Sequence, residues 1–279
     1  EAEDRRERQT GDRRDGNALH LPYWAELWDS SIGMGQMLVK WQTGDLDRLL
    51  PKPSKMLSFL DLGCGQGLSG TVAAALGHIY GPNPERGIFR SLDGGKTWKK
   101  VLYVNDYVSG DDVEIDPANP NIVYATMWQQ QQAPWENGQF AGTDGGIFKS
   151  TDGGNTWTKL TKGLPDVQQA LLRIAPSEPN RLYASVASGE EGEVGLYRSD
   201  DAGASWYTMT KDSRPAARIG GGDLPQLAVD SNTADIVYSD PPVLWKSTDG
   251  GKTWTGFRGA PGGDDYHQTW INPNNPDII

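Results

Sequence analysis

The sequence predicts a mainly β protein, an incomplete β-propeller of about four blades with a small N-terminal α/β segment. Three observations predict this fold: a turn motif that occurs four times, a second turn motif that alternates with it, and a composition rich in glycine and tryptophan. The 279 residues include 35 Gly, 18 Pro, 11 Trp and 10 Tyr. So many aromatic residues favour a packed β protein over a disordered chain rich in glycine and proline.

The first motif is an eight-residue turn of the type Ser-x-Asp-Gly-Gly-x-Thr-Trp, which follows a short apolar strand in every copy. The copies lie roughly 50 residues apart, a spacing typical of propeller blades. Aspartate can accept hydrogen bonds from the turn's backbone N–H groups, and paired glycines supply positive φ angles. The aspartates and tryptophans of the four copies are Asp93 and Trp98, Asp152 and Trp157, Asp201 and Trp206, and Asp249 and Trp254.

The second motif is an Asn- and Pro-rich turn that precedes a Val, Ile and Tyr strand. It occupies residues 116–124, 175–183 and 230–238, and a further copy begins at Asn272. Two turns per repeat give about four strands, which is one blade. We therefore expect blades over residues 79–279, with the last blade begun but cut short at Ile279.

These repeats resemble the Asp-box, or bacterial neuraminidase repeat, propellers. The resemblance covers about residues 74–279 and is strongest to the sortilin-like (VPS10-like) bacterial group that is often labelled glycosyl hydrolase. It implies that the motif aspartates and tryptophans are structural and lie away from the active face. It also implies a peptide or glycan ligand and an exported protein.

Residues 19–78 have a different character. An apolar strand that ends near Leu60 leads into Asp61-Leu-Gly63-Cys-Gly65-Gln-Gly67, and a small-residue helix is predicted over 68–76. With the upstream Tyr-Trp-Ala-Glu-Leu-Trp, this segment resembles the first motif of class I S-adenosylmethionine-dependent methyltransferases. The resemblance implies that Asp61, Gly63, Gly65 and Gly67 line the cofactor.

The methyltransferase resemblance ends after this first helix. One strand and one helix cannot form a doubly wound sheet, so no cofactor is expected except under this reading. Residues 72–78 are equally compatible with a propeller strand. We therefore hypothesise a chimaera whose domains are a charged, disordered lead at 1–18, a truncated methyltransferase-like segment at 19–78, and the propeller repeats at 79–279.

Composition excludes several other classes of function. The net charge of −11 disfavours nucleic acid as a partner, and a single cysteine cannot form an intrachain disulfide. The three histidines lack metal-ligand spacing, so no metal site is expected. No stretch is long and apolar enough to span a membrane, and the N-terminus does not resemble a signal peptide. Open blade edges favour self-association.

Candidate catalytic groups are carboxylates in glycine-rich surroundings that are expected to be loops. They are Asp111 and Asp112, and Asp264 and Asp265 with His267 close behind. A glycosidase needs two carboxylates held across the scissile bond, and the sequence does not show whether these converge. Arg173 faintly resembles the arginine-bearing strand of sialidases, but its register with Glu114 favours an ordinary repeat position.

A Trp- and Gln-rich insertion with Trp128 and Trp135 suits stacking on sugar or peptide, although packing against a neighbouring blade is the alternative. The sequence thus favours a non-catalytic binding or scaffold propeller for peptide or glycan. A sialidase-like glycoside hydrolase is the alternative, and a methyltransferase remnant is the second alternative.

Overall fold

Seventeen β-strands in four antiparallel sheets form nearly all of the regular structure that can be described. The computed structural model describes residues 60–63, 71–75, 81–93, 97–131, 139–140, 142–189, 192–217, 224–259, 268–272 and 275–279. All of them belong to one unit, Pro51–Ile279. Within this part of the chain there is no α-helix, only a 3-10 turn at Arg214–Ala216. The predicted incomplete propeller is confirmed.

Each sheet is a blade-like series of neighbouring antiparallel strands. The first contains β1 (Leu60–Gly63), β2 (Thr71–Ala75), β3 (Gly87–Ser91) and β4 (Lys99–Leu102). The second contains β5 (Val108–Ile115), β6 (Val123–Gln131), β8 (Gly146–Ser150) and β9 (Thr158–Leu160), with β7 (Gln139–Phe140) paired to β6. The third contains β10 (Gln169–Ile174), β11 (Leu182–Ser188), β12 (Glu193–Ser199) and β13 (Tyr207–Thr208). The fourth contains β14 (Gln226–Val229), β15 (Val237–Asp240), β16 (Leu244–Ser247) and β17 (Thr255–Arg258).

The core lies between successive sheets. One apolar cluster joins Ile88 of the first sheet to Val113 of the second, and another joins Ile147 of the second to Leu172 of the third. The third cluster joins the third and fourth sheets. The second and third sheets each have a neighbouring sheet on both sides. Because strand side chains alternate between faces, each of these two sheets buries one face against the preceding sheet and the other face against the following sheet.

The first sheet corrects one prediction. The helix expected over residues 68–76 is wrong for the part described, because Thr71–Ala75 form β2, which pairs with both β1 and β3. The alanines have high intrinsic helix propensity, but two neighbouring strands satisfy their backbone groups and decide the structure. The alternative reading of 72–78 as a propeller strand agrees with β2. The predicted division at 1–18, 19–78 and 79–279 remains a prediction.

The four repeated hairpins have the expected local geometry. Asp152 Oδ1 accepts hydrogen bonds from the Ser150 hydroxyl at 2.8 Å and from Thr156 N–H at 2.8 Å. Asp152 Oδ2 accepts a further bond from the Thr156 hydroxyl at 2.6 Å. Gly153 and Gly154 have φ angles of 68° and 86°, a left-handed conformation that glycine adopts without strain. Equivalent bonds surround Asp93, Asp201 and Asp249.

These bonds make the hairpins sensitive to acid. Chiefly the Thr156 hydroxyl and N–H hold the pKa of Asp152 at about 2, and the Ser205 hydroxyl lowers the pKa of Asp201. A depressed pKa contributes stability above the unfolded-state value near 4, and this stability is lost as the pH falls through about 2. Denaturant unfolding should therefore show a stability decline between about pH 4 and pH 2.

A matched pair of variants checks the source of this decline. Asp152→Asn is expected to reduce the pH dependence between about pH 4 and pH 2, whereas Asp166→Asn, at an exposed aspartate outside the hairpins, should leave it unchanged. Equal pH profiles for the wild type and Asp152→Asn would contradict the assignment to this hairpin.

Candidate functional site

Arg173, on β10, joins three successive sheets through its guanidinium group. Its Nη1 lies 2.7 Å from Asp112 Oδ2 and 3.0 Å from Glu114 Oε1, both on β5. Its Nη2 donates to Gln226 Oε1 on β14 at 2.7 Å. The side chains of Arg173 and Glu114 are 22% and 25% exposed. This arrangement places a partly accessible cation and carboxylate among the first strands of the second, third and fourth sheets.

Asp112 occupies the buried end of this ion pair. Its side chain is 6% exposed, and its Oδ2 also accepts a hydrogen bond from Leu172 N–H at 3.2 Å. The pairing of β5 with β6 shifts register between Gly110 and Asp112, and such a bulge redirects side chains. Asp111 and Asp112 are therefore on a strand, which corrects the expectation that they lie on a loop.

Asp240 is the second buried carboxyl of the region. It ends β15, is 0% exposed, and is the cross-strand partner of Gln226. Directly paired residues place their side chains on the same face of a sheet. Neighbouring side chains therefore connect Asp112 and Glu114, through Arg173 and then Gln226, to Asp240.

Burial raises the pKa of Asp240 to about 6, against smaller lowering effects of the Thr269 hydroxyl and of the Arg173 charge. The Thr269 hydroxyl donates to Oδ1 at 2.9 Å. Oδ2 is buried and has no hydrogen-bond partner among the described residues. A buried carboxyl with a pKa near neutrality can hold or release a proton at working pH, which is the property of a general acid.

The segment that supplies Thr269 also supplies an aromatic surface. The next residue, Trp270, is 62% exposed, and an exposed indole ring can stack on a sugar. We name the set Asp112, Glu114, Arg173, Gln226 and Asp240 the inner-strand cluster. Thr269 joins this cluster through its hydrogen bond to Asp240, and the exposed Trp270 follows it directly in the sequence.

The chain is similar over about two thirds of its length to proteins named as xyloglucanases. No protein-family profile matches the chain. A xyloglucanase from Paenibacillus sp. is 26% identical, over 66% of this chain and 20% of its own length. A xyloglucanase from Hypocrea jecorina is 28% identical, over 68% of this chain and 19% of its own length. Among solved structures, an ancestral GH74 enzyme has a TM-score of 0.51 at 19% identity, over 72% of this chain and 24% of its own.

The chain thus spans about a fifth of the length of these two curated relatives. The structural similarity supports the propeller fold. The relatives overturn the non-catalytic scaffold expected from the sequence, because the matching proteins are named as enzymes, and the glycoside hydrolase alternative agrees better with them. The sequence-based expectation was wrong because the structural hairpins that dominate the repeat are independent of chemistry.

The residues predicted as sites from the sequence are only partly described. Asp264, Asp265 and His267 lie outside the described residues, as do Gly65 and Gly67. Asp61 and Gly63 are in β1, which leads through an undescribed stretch to the strand β2 rather than to the predicted helix. The methyltransferase resemblance requires a helix after the glycine-rich turn, but residues 71–75 form a strand.

Two further expectations concern the insertion and metals. Trp128 lies on β6 and is only 6% exposed, which agrees with packing rather than with ligand stacking; Trp135 lies outside the described residues. Among the residues that the structure describes, no group of three or more His, Cys, Asp or Glu side chains is placed to hold a metal ion. No described helix is long and apolar enough to cross a membrane.

The sequence reasoning missed Asp240, although the repeats contain a signal for it. In the Tyr-Ala-Thr, Tyr-Ala-Ser and Tyr-Ser-Asp segments, Asp240 occupies the position of Thr126 and Ser185. Both hydroxyl residues are buried, with exposures of 1% and 0%. Burying a carboxyl where the other repeats bury a hydroxyl costs folding free energy unless the carboxyl has a bonding partner. A buried carboxyl at this position is therefore a candidate for a functional group.

Proposed function

We propose that this chain forms propeller blades of a glycoside hydrolase that acts on a xyloglucan-type polysaccharide. The observation that carries the proposal is that five curated proteins match, and the matches cover about two thirds of the chain and are named xyloglucanases or probable xyloglucanases. We also infer that the four repeated hairpins are Asp boxes, since their aspartates bond to the hydroxyl and N–H groups expected for that motif.

Asp240 is the proton donor in this proposal. Because its side chain is 0% exposed, the proposal requires that substrate binding displaces the segment of Thr269, whose hydroxyl bonds to Oδ1. Glycoside hydrolysis needs an acid that protonates the leaving oxygen and a second carboxylate that acts on the opposite side. With a pKa of about 6, a fraction of Asp240 is protonated near neutral pH. Its proton would pass to the glycosidic oxygen as the bond from that oxygen to the anomeric carbon breaks.

Glu114 is the partner carboxylate in this proposal. Its side chain is a quarter exposed and is positioned by Arg173 at 3.0 Å, so it can accept the proton of an attacking water. Asp112 is more deeply buried and accepts hydrogen bonds from the backbone N–H groups of Val113 and Leu172. It is therefore suited to holding Arg173 in position. Trp270 would stack on the glucan chain.

The experiment is a substrate panel for the purified chain. Xyloglucan, an unsubstituted mixed-linkage β-glucan and sialyllactose are each incubated with the protein, and new reducing ends and free sialic acid are measured. Binding to xyloglucan is read in parallel by retardation in native gels that contain the polysaccharide. We expect retardation and new reducing ends with xyloglucan, and less of both with the unsubstituted glucan.

The panel also distinguishes the alternatives. Release of sialic acid would favour the sialidase-like alternative and contradict the xyloglucan proposal. A protein that is neither retarded by xyloglucan nor hydrolyses it would also contradict the xyloglucan proposal. Calorimetric titration with S-adenosylmethionine tests the methyltransferase remnant, and saturable binding that is lost in Asp61→Asn would support that reading.

A further inference from the structure

Two tyrosines in the segment between β4 and β5 expose much of their side chains. Tyr103 is 45% exposed and Tyr107 is 41% exposed. The Tyr103 ring already has partners within the protein, because the Lys100 ammonium lies 4.5 Å from its centroid and its hydroxyl donates to Asp106. Among the described residues, no cation and no second ring lies against Tyr107, and no group bonds to its hydroxyl. The Tyr107 ring is therefore available to a ligand.

The backbone of Tyr107 is held from two sides. Its N–H donates to Asn105 Oδ1 at 2.8 Å, and its carbonyl accepts from Arg86 Nη1 and from the N–H of Gln130. Arg86 is 0% exposed, and its guanidinium also donates to the carbonyls of Gln130 at 2.9 Å and Gly81 at 3.1 Å. Burial of a guanidinium costs free energy that such hydrogen bonds offset. An exposed ring on a backbone fixed in this way loses little freedom when a ligand binds.

A carboxylate is tied to the same segment. Asn105, which accepts from the Tyr107 N–H, donates through Nδ2 to Asp144 Oδ2 at 3.0 Å. The N–H of Asp144 donates in turn to Gln129 Oε1 at 3.1 Å. Asp144 is exposed, and a carboxylate can accept several hydrogen bonds at once. An open ring face with a fixed carboxylate near it suits a sugar, which can stack through its C–H face and donate through its hydroxyl groups.

This segment lies at the end of the second sheet that corresponds to the position of Asp240 in the fourth. Tyr107 directly precedes β5, the strand that carries Asp112 and Glu114. In the fourth sheet, β14 begins at Gln226, which pairs with Asp240. Asp240 is thus beside the start of its sheet's first strand, as Tyr107 is. The five residues from Tyr107 to Asp112 correspond to about 17 Å of strand, a distance that one polysaccharide chain can span.

We infer that Tyr107, Asn105 and Asp144, the Tyr107 surface, form a sugar-binding subsite of the inner-strand cluster. One sugar ring of the polysaccharide stacks on Tyr107, and its hydroxyl groups donate to Asp144. The carboxylates of Asp144 and Asp106 disfavour an acidic ligand, which agrees with an uncharged glucan. The inference rests on the proposed function, because its ligand is the polysaccharide that this function would cleave.

Affinity electrophoresis of the full chain through native gels with graded xyloglucan concentrations tests the subsite by its dissociation constant. Tyr107→Ala is expected to raise this constant about three- to tenfold, because the stacked ring is lost. Tyr107→Phe keeps the ring and should bind like the wild type. The matched control Tyr103→Ala removes an equally exposed ring whose face already has a cation against it, and it should leave the constant unchanged.

The outcomes separate the subsite from the proposed function. If the wild type binds xyloglucan and Tyr107→Ala binds it as tightly, or if Tyr103→Ala loses as much affinity, the Tyr107 surface is overturned and the proposed function stands. A wild-type chain that xyloglucan does not retard contradicts the proposed function, and the subsite with it. Tyr107→Phe keeps the test decisive if the alanine variant fails to fold, because loss of binding in a folded phenylalanine variant would contradict stacking.

Discussion

Replacing Asp240 with asparagine is expected to stabilise the folded chain at pH 8 by about 2–3 kcal/mol. Asp240 is fully buried and its pKa is raised to about 6, so the fold favours the neutral carboxyl. Stability from such a group is fully present below the unfolded-state pKa near 4 and is lost as the pH rises through about 6. Asparagine resembles the neutral form and retains this stability at every pH.

The measurement is the free energy of unfolding from denaturant titrations of both proteins between about pH 4 and pH 8. The difference between Asp240→Asn and the wild type should grow with pH and approach zero near pH 4. A variant that is destabilised equally at pH 4 and pH 8 would contradict a raised pKa at this position. Stabilisation by removal of a carboxyl is a common property of functional sites.

The second large effect is expected from Arg173→Met, which should destabilise the chain by about 3–5 kcal/mol. The substitution leaves Asp112, whose side chain is 6% exposed, without its cation in a buried site. Removing one partner of a buried ion pair costs more than the pair's net contribution, because an uncompensated charge remains. Denaturant unfolding at pH 7 measures the loss.

Arg181→Met is the matched control for this prediction. Arg181 also links the third and fourth sheets, through Asp235 at 2.7 Å. Its three carboxylate partners are all exposed, however: Asp235 at 51%, Asp200 at 41% and Glu178 at 52%. Exposed ion pairs contribute roughly 0–1 kcal/mol. The double variant Arg173→Met with Asp112→Asn should recover part of the loss, and a fully additive result would show that Asp112 is not the group left unpaired.

The repeat itself could be predicted from sequence because its chemistry is local. The hairpin aspartates, the glycine pair and the Asn-Pro turns each act within a few residues, so spacing alone predicts strand, turn and strand. The degenerate third copy shows how far this locality extends. Ala202 replaces the first glycine and still adopts a φ of 55°, because the surrounding bonds of Asp201 and Ser199 are retained.

The inner-strand cluster could not be predicted in the same way. Arg173 meets Asp112 and Gln226 across three sheets, at sequence separations of 61 and 53 residues, and no local pattern specifies that meeting. The buried Arg86 is similar: its guanidinium donates to the carbonyls of Gln130 and Gly81. The error over residues 71–75 has the same origin, because pairing with strands on both sides outweighs the local preference of alanine.

The most direct test of the account is kcat/KM on xyloglucan for the wild type, Asp240→Asn and the control Asp230→Asn. Asp230 is also buried, at 5% exposure, and its Oδ1 accepts bonds from the N–H groups of Asn232 and Thr233. Loss of a general acid lowers rates by about 10²–10⁴-fold. We therefore expect a fall of that size for Asp240→Asn in a folded protein and a near wild-type value for Asp230→Asn. An Asp240→Asn variant that hydrolyses xyloglucan as fast as the wild type would contradict the account.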